Sequence, residues 1–409
     1  MTLRGEFQPV FTLTPGPVGA TAPTLAALGR PLLHHLDPAF RRLYGEAVQM
    51  LGAAYGTQDA PVILPGEAVA GLEAAAASLI GARDVVLNLV SGPYGSAFGA
   101  LAARYAAEVV EVRVPYDQTV HSEAVRAALA DRPDVGIVSV VHCETPAGTV
   151  NDLDAIASVV AEHGALLVVD AVATFAGMPC DVTGWQADLV VAAPQKCLGG
   201  PPGLSLLHVS DAAWRHMEGN PAAPRSSVLS LLDWRDAGDP ARPFPYTPPV
   251  SEVAGLHACL EQYLAKGPAA VWARHAATAG AVRAAVQALG LPLWPAVPAT
   301  CADTVTAVQI PAGVDVASVR AIARSEAGVM FSGGQHELGG QVLQIAHMGP
   351  SAYPLSPVIA VTALGHALRR AGAHADVGAA VEAALATWPD PDRLVTSSPR
   401  QGPARPKGW

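Results

Sequence analysis

The chain is poor in charge, in aromatic rings and in cysteine. Charged residues make up 15% of its 409 positions and Phe, Trp and Tyr together 5%. What charge there is leans acidic: 25 Lys plus Arg against 35 Asp plus Glu give a formal net charge of −10. A nucleic-acid binder needs a basic patch to meet phosphate, so that class is disfavoured. The five cysteines, Cys143, Cys180, Cys197, Cys259 and Cys301, lie far apart. Without a C-x-x-C pair or a His cluster at zinc spacing, neither a disulfide framework nor a structural zinc is expected. No window reaches the roughly 18 uninterrupted apolar residues of a membrane span, and the N-terminus lacks a basic segment leading into an apolar one. These absences point to a soluble cytoplasmic protein acting on small molecules, with neither nucleic acid nor membrane as partner.

What is present is apolar: 51% of residues are hydrophobic, enough to bury a large core. Residues 1–20 read as an extended arm, since Pro15, Gly16 and Pro17 discourage a helix. Residues 21–250 alternate short apolar runs with Ala-rich helical patterns. The runs begin at Asp84, Val109, Val135, Ala165, Asp188 and Leu204, and are near-continuously apolar, as parallel strands covered on both faces should be. Helical periodicity covers Val120 to Asp131 and Leu153 to His163. The class is therefore α/β. After a Pro-rich break at 239–250, residues 251–392 read as a long linking helix, Glu252 to about Leu289, and a smaller α+β domain. That domain holds strands from Thr304 and Val342 and helices Val316 to Ala327 and Val358 to Ala371. The tail, 393–409, is Pro-, Gly- and Ser-rich and is expected to be disordered.

The chemistry lies in an acid and a lysine. Asp170 closes an apolar strand, where a buried carboxylate is costly unless something positive meets it. Twenty-six residues on, Lys196 sits on a turn bounded by Pro194 and the Gly199-Gly-Pro-Pro-Gly203 run. A partly desolvated amine there can act as a Schiff-base nucleophile. Together they suit a pyridoxal ring, the carboxylate keeping the ring nitrogen protonated and the lysine taking the aldehyde. Taken singly, Asp170 also fits a strand-end turn or a magnesium ligand, and Lys196 a solvated loop lysine.

At this point the sequence resembles the class V, fold-type I aminotransferases, which include alanine-glyoxylate and serine-pyruvate aminotransferases. The resemblance runs from about residue 11 to 390. It rests on Thr14-Pro-Gly-Pro-Val18, Gly71-Leu-Glu-Ala-Ala75, His142-Cys-Glu-Thr-Pro-Ala-Gly148, Gln195-Lys-Cys-Leu198 and Ile345-Ala-His-Met-Gly349. It is nearest to members that take the amino group from pyridoxamine, through Ile63-Leu-Pro-Gly-Glu-Ala-Val69, Pro243-Phe-Pro-Tyr-Thr-Pro-Pro-Val250 and Gly267-Pro-Ala-Ala-Val-Trp-Ala-Arg-His275. The resemblance implies a mainly parallel seven-stranded sheet with a smaller C-terminal domain, a homodimer or homotetramer, and either free pyridoxal or pyridoxal 5′-phosphate. It also implies that Lys196 carries the Schiff base, Asp170 meets the ring nitrogen, Tyr94 stacks on the ring and Thr145 reaches the ring hydroxyl. Read without the resemblance, Tyr94 is a half-buried core aromatic and Thr145 a turn residue.

Glu67 discriminates within the family. Phosphate-using relatives seat the phosphate on the turn before this helix, which here reads Pro65-Gly-Glu67-Ala68. A carboxylate there repels phosphate and accepts a hydrogen bond from a neutral hydroxymethyl group, although Glu67 also fits a simple helix first-turn acid. Phe244, where relatives often bring a tyrosine across the dimer, points the same way. The substrate-binding arginines of keto-acid-using relatives are replaced by Gln344 and, in the preceding loop, Gln335. Neutral donors hold a carboxylate less firmly than charged ones, and His336 or a structural His347 are the alternatives nearby. The expected reaction passes the amino group of pyridoxamine to an oxo acid, pyruvate first, in vitamin B6 degradation. The rivals are an ordinary phosphate-dependent class V transaminase, a lyase on the same scaffold, and a vitamer-binding protein without useful catalysis.

Overall fold

The computed structural model describes residues 10–387. The expected disordered tail lies outside the described residues, as does the first part of the arm. The described chain opens with β1 (Phe11–Thr12), which pairs in parallel with Val329–Met330. Two helices follow, α1 (Ala22–Leu28) and α2 (Pro38–Tyr55), each entered through a side-chain cap, Thr21 and Asp37, with proline in the first turn. Thereafter strand and helix alternate. The main strands are β2 (Val62–Pro65), β3 (Val85–Val90), β4 (Glu108–Arg113) and β5 (Val135–Val141). A hairpin of β6 (Cys143–Glu144) and β7 (Thr149–Val150) precedes β8 (Leu166–Asp170), β9 (Leu189–Ala192) and β10 (Leu204–Val209).

Seven of these form one sheet in the order β2-β10-β9-β8-β5-β3-β4. β10 runs antiparallel to both neighbours and the other pairings are parallel. The six apolar runs read from sequence are six of these strands, and helix Leu153–His163 falls where its periodicity placed it. Their faces are sealed: Leu87, Ile137, Val169, Val190 and Leu206 are all fully buried within one core. Each such side chain contributes roughly 1.5 to 3 kcal/mol on leaving water.

The expected linking helix is broken. Val250–Lys266 and Pro268–Ala288 are separate helices, hinged at Gly267, whose φ of 82° ends the first while Pro268 starts the second. Beyond them, β11 (Val305–Gln309), β12 (Val329–Met330), β13 (Ser332–Gly333) and β14 (Val342–Ala346) complete the strands. A three-stranded antiparallel sheet of order β11-β14-β13 packs against helices Val316–Ala327 and Ser356–Arg370 around a second core that includes Val319, Leu343, Ile345 and Leu364. Leu13, just past β1, belongs to this second core.

Candidate active site

The carboxyl ends of β2, β3, β5, β8 and β9 open on one side of the sheet, the edge at which α/β folds bind ligands. A cavity of about 160 Å³ lies there, lined by Glu67, Ala68, Tyr94, Thr145, Asp170 and Lys196 together with Val69, Leu72, Cys143, Val172 and Ala173. The fold thus brings together six of the eight site residues expected from sequence, drawn from five separate strand ends.

Lys196 follows β9 on the turn Pro194 to Gly200, which closes through hydrogen bonds from Gly199 N to Lys196 O and from Gly200 N to Pro194 O. Its Nζ donates to Pro15 O of the N-terminal arm. The arm lies so close that a Cβ on Gly16 would stand 2.5 Å from Lys196 Cδ, and Gly16 itself holds φ of +109°. Burial depresses the basicity of Lys196, opposed by the charges of Asp170 and Glu67.

Asp170 ends β8, where its Oδ1 accepts from Val172 N at 2.9 Å, leaving Oδ2 for a ligand. Burial pushes its carboxyl up to about 6, against the Val172 amide and Lys196. Tyr94 opens α4 (Pro93–Ala102) and its phenol is raised by burial, an effect opposed by the neighbouring side chains of Thr145 and Gln335. Thr145 Oγ1 is buried beside the Tyr94 phenol without a well-formed hydrogen bond, a polar atom left for whatever fills the cavity.

Glu144 escaped the sequence reading although it stands in a quoted motif. Its two carboxylate oxygens accept from Gly95 N at 2.6 Å and Tyr94 N at 3.1 Å, capping α4 and fixing the turn that carries Tyr94. Burial pushes it up to about 7, against those two amides. A Cβ on Gly92 would lie 2.4 Å from its carboxyl carbon, so the glycine makes room for the acid.

Glu67 is the N-cap of α3 (Ala68–Leu79). Its Oε2 accepts from Val69 N at 2.9 Å and its Oε1 from Gln195 Nε2 at 2.7 Å, so the carboxylate is tethered at the helix mouth. Ser205 Oγ on β10 binds the Gly66 and Glu67 carbonyls at 3.0 and 2.9 Å and accepts from Gly71 N, which pins the turn to the sheet. Gln195 and Ser205 were not singled out from sequence because their partners lie 128 and 138 positions away.

Gln344 does not line the cavity. It is buried on β14 and its Nε2 donates to Gly333 O at 2.6 Å, so its amide is engaged with β13. Gln335 follows β13 and comes beside Tyr94. His336 is exposed, at φ of 51°. His347 is buried between Thr306 Oγ1 and Asp303 O, at 3.0 and 2.9 Å, and burial drives its ring down to about 3, the structural histidine expected. Phe244 packs within the chain against Phe40, Tyr44 and Trp234, with Arg41 4.0 Å above its ring.

Comparison with known proteins matches residues 34–350 to the family described as aminotransferase class V. The chain belongs to the class V aminotransferases. This aminotransferase is 49% identical over 379 residues to pyridoxamine–pyruvate transaminase of Mesorhizobium japonicum, covering 93% of this chain and 96% of the relative. The crystal structure of pyridoxamine-pyruvate aminotransferase from Mesorhizobium loti superposes with a TM-score of 0.92 at 49% identity, covering 93% and 97% of the two chains. That of ureidoglycine-glyoxylate aminotransferase from Bacillus subtilis gives 0.88 at 27% identity, with coverage of 93% and 98%. The mainly parallel seven-stranded sheet is that of the fold-type I enzymes.

Class V aminotransferases depend on pyridoxal phosphate. The residues of this aminotransferase fit the ring of that group: Thr145 Oγ1 is a buried donor without a well-formed hydrogen bond, Asp170 Oδ2 an open acceptor, and Lys196 an amine within the same cavity. At the mouth of α3 stands the tethered Glu67 carboxylate, the wrong charge for a phosphate.

Proposed function

We propose that this aminotransferase moves the amino group of free pyridoxamine to an oxo acid, giving pyridoxal and an amino acid, with pyruvate and alanine as the expected pair. The observation that carries the proposal is Glu67, tied to Val69 N and Gln195 Nε2 across a helix N-terminus that phosphate-using relatives leave to phosphate. The named activity of the Mesorhizobium relative supports it. The vitamer is then substrate, its hydroxymethyl donating to Glu67, and vitamin B6 degradation by a cytoplasmic homo-oligomer is the setting that suits it.

When bound, the protonated pyridine ring supplies an electron sink. Asp170 Oδ2 holds the proton on the ring nitrogen, and Thr145 Oγ1 donates to the ring hydroxylate. Tyr94 offers a flat face to the ring and Glu144 holds Tyr94 in place. Lys196 Nζ takes the proton from C4′ of pyridoxamine and delivers it to the carbon of the acceptor. Its basicity, depressed by burial, suits that exchange. Gln335 offers a neutral amide to the acceptor, and Gln344 steadies the β13 segment that carries Gln335 by holding Gly333 O.

Purified protein, dialysed and supplied with pyridoxamine and pyruvate, is expected to form pyridoxal and alanine in equal amounts. No pyridoxal with any oxo acid defeats the proposal. A second reading is favoured by charge: among the described residues, Lys196 is the cation lining the cavity beside Glu67 and Asp170. It holds that the acceptor carries no carboxylate, and turnover with an uncharged aldehyde in place of pyruvate separates the two.

A further inference from the structure

A second cavity, of about 260 Å³, lies behind the turn that carries Lys196. It is lined by Cys197 and Leu198 of that turn, by Tyr263 and Lys266 from helix Val250–Lys266, by Arg274 from helix Pro268–Ala288, and by the segment after β14. No Asp or Glu lines it, in a chain whose net charge is −10. Among the described residues, neither the Lys266 ammonium nor the Arg274 guanidinium makes an ion pair or side-chain hydrogen bond. Arg274 Nε is buried with no hydrogen-bond partner. Arg283, half-buried nine residues along the same helix, donates instead to Ala302 O and pairs with Asp303.

A half-buried guanidinium whose Nε is out of reach of water and unpartnered is costly, and a second cation nearby adds repulsion. Burial weakens the hold of both groups on their protons, and for Lys266 the charge of Arg274 adds to that effect. An anion between them reverses both costs, since a guanidinium forks onto a carboxylate or phosphate and an ammonium meets it as a point charge. We infer that this cavity is a binding site for a small oxyanion, a phosphate- or carboxylate-bearing molecule held between Arg274 and Lys266. The site is separate from the candidate active site but shares the Lys196 turn with it. Gly349, which also lines the cavity, would with a Cβ meet Cys197 O at 2.8 Å, so an occupant abuts the back of a tightly packed catalytic loop.

Isothermal titration of inorganic phosphate into the full-length protein in a zwitterionic buffer tests the inference. Saturable binding is expected, weakened about tenfold or more in Arg274→Gln and in Lys266→Gln. Lys266 is exposed, so its variant keeps the test open if Arg274→Gln fails to fold. Lys196→Ala is expected to leave phosphate binding unchanged. Succinate, which brings carboxylates but no oxo group, distinguishes the sources: competition assigns the site to oxyanions at large, and its failure to phosphates. Absence of saturable heat, or affinity unchanged in both Gln variants, overturns the inference. Binding lost in Lys196→Ala also overturns it, because the anion is then in the candidate active site.

Discussion

Replacing Glu67 by serine should convert the preference of this aminotransferase from the free vitamer to its phosphate. The carboxylate sits at the mouth of α3, held at 2.9 Å by Val69 N and at 2.7 Å by Gln195 Nε2, so it cannot swing aside without breaking both bonds. A phosphate charge placed about 4 Å from it costs roughly 4 kcal/mol at an effective dielectric near 20. That is close to three powers of ten in affinity. Serine removes the charge yet remains a good N-cap, so the helix should lose no more than a few tenths of a kcal/mol. Titration of the dialysed wild type with pyridoxal and with pyridoxal phosphate, followed by the visible absorbance of the bound chromophore, should favour pyridoxal at least about a hundredfold. In Glu67→Ser the ratio should fall to near unity or reverse. Equal affinities in the wild type, or a ratio that serine leaves untouched, would refute the electrostatic argument.

Four further outcomes are expected. Lys196→Ala should abolish turnover while leaving the circular dichroism spectrum and melting temperature close to wild type, and measurable pyridoxal formation in it would rule the lysine out as proton carrier. Gly16→Ala should lower kcat about a hundredfold, because its Cβ would stand 2.5 Å from Lys196 Cδ at a φ that L-residues rarely adopt; wild-type kcat would show that the arm does not position the lysine. Gln335→Arg should lower KM for pyruvate about tenfold, a charged bond replacing a neutral one, and an unchanged KM would place the acceptor carboxylate elsewhere. The last outcome concerns pH. Glu144 is raised to about 7 from an ordinary 4.5, so the folded state binds the extra proton and the stability this contributes is present below about 4.5 and lost as pH rises through about 7. Melting of the ligand-free protein should therefore weaken between pH 5 and 8, by on the order of 2 to 3 kcal/mol, with a shallower slope in Glu144→Gln. Identical slopes in the two proteins would exclude Glu144 as the source.

Much of the architecture was legible because burial on both faces leaves a plain mark. β3, β5, β8, β9 and β10 are near-continuous apolar runs, and Asp170 and Lys196 announce themselves as charges at or just past the ends of such runs. β2 went unread as a strand, being four residues long and hidden in a motif whose interest lay in the turn behind it. The break between helices Val250–Lys266 and Pro268–Ala288 was written in Gly267-Pro268, but the Ala-rich periodicity on both sides masked it. The rest was illegible for a physical reason. Glu144 is satisfied by backbone amides some fifty positions upstream, and a carboxylate's choice of distant N–H groups leaves no pattern along the chain.

The N-terminal arm gives the site an order of construction. β1 pairs with β12 from the far end of the chain, while Pro15 O receives Lys196 Nζ from 181 positions away. The large sheet with its lysine turn draws on residues already synthesised, whereas β1 has no partner until β12 has emerged. Contacts of such sequence separation close late, after local structure has formed. The arm over Lys196 is thus anchored at Phe11–Thr12 by a strand pairing that cannot close until residues 329–330 have been made.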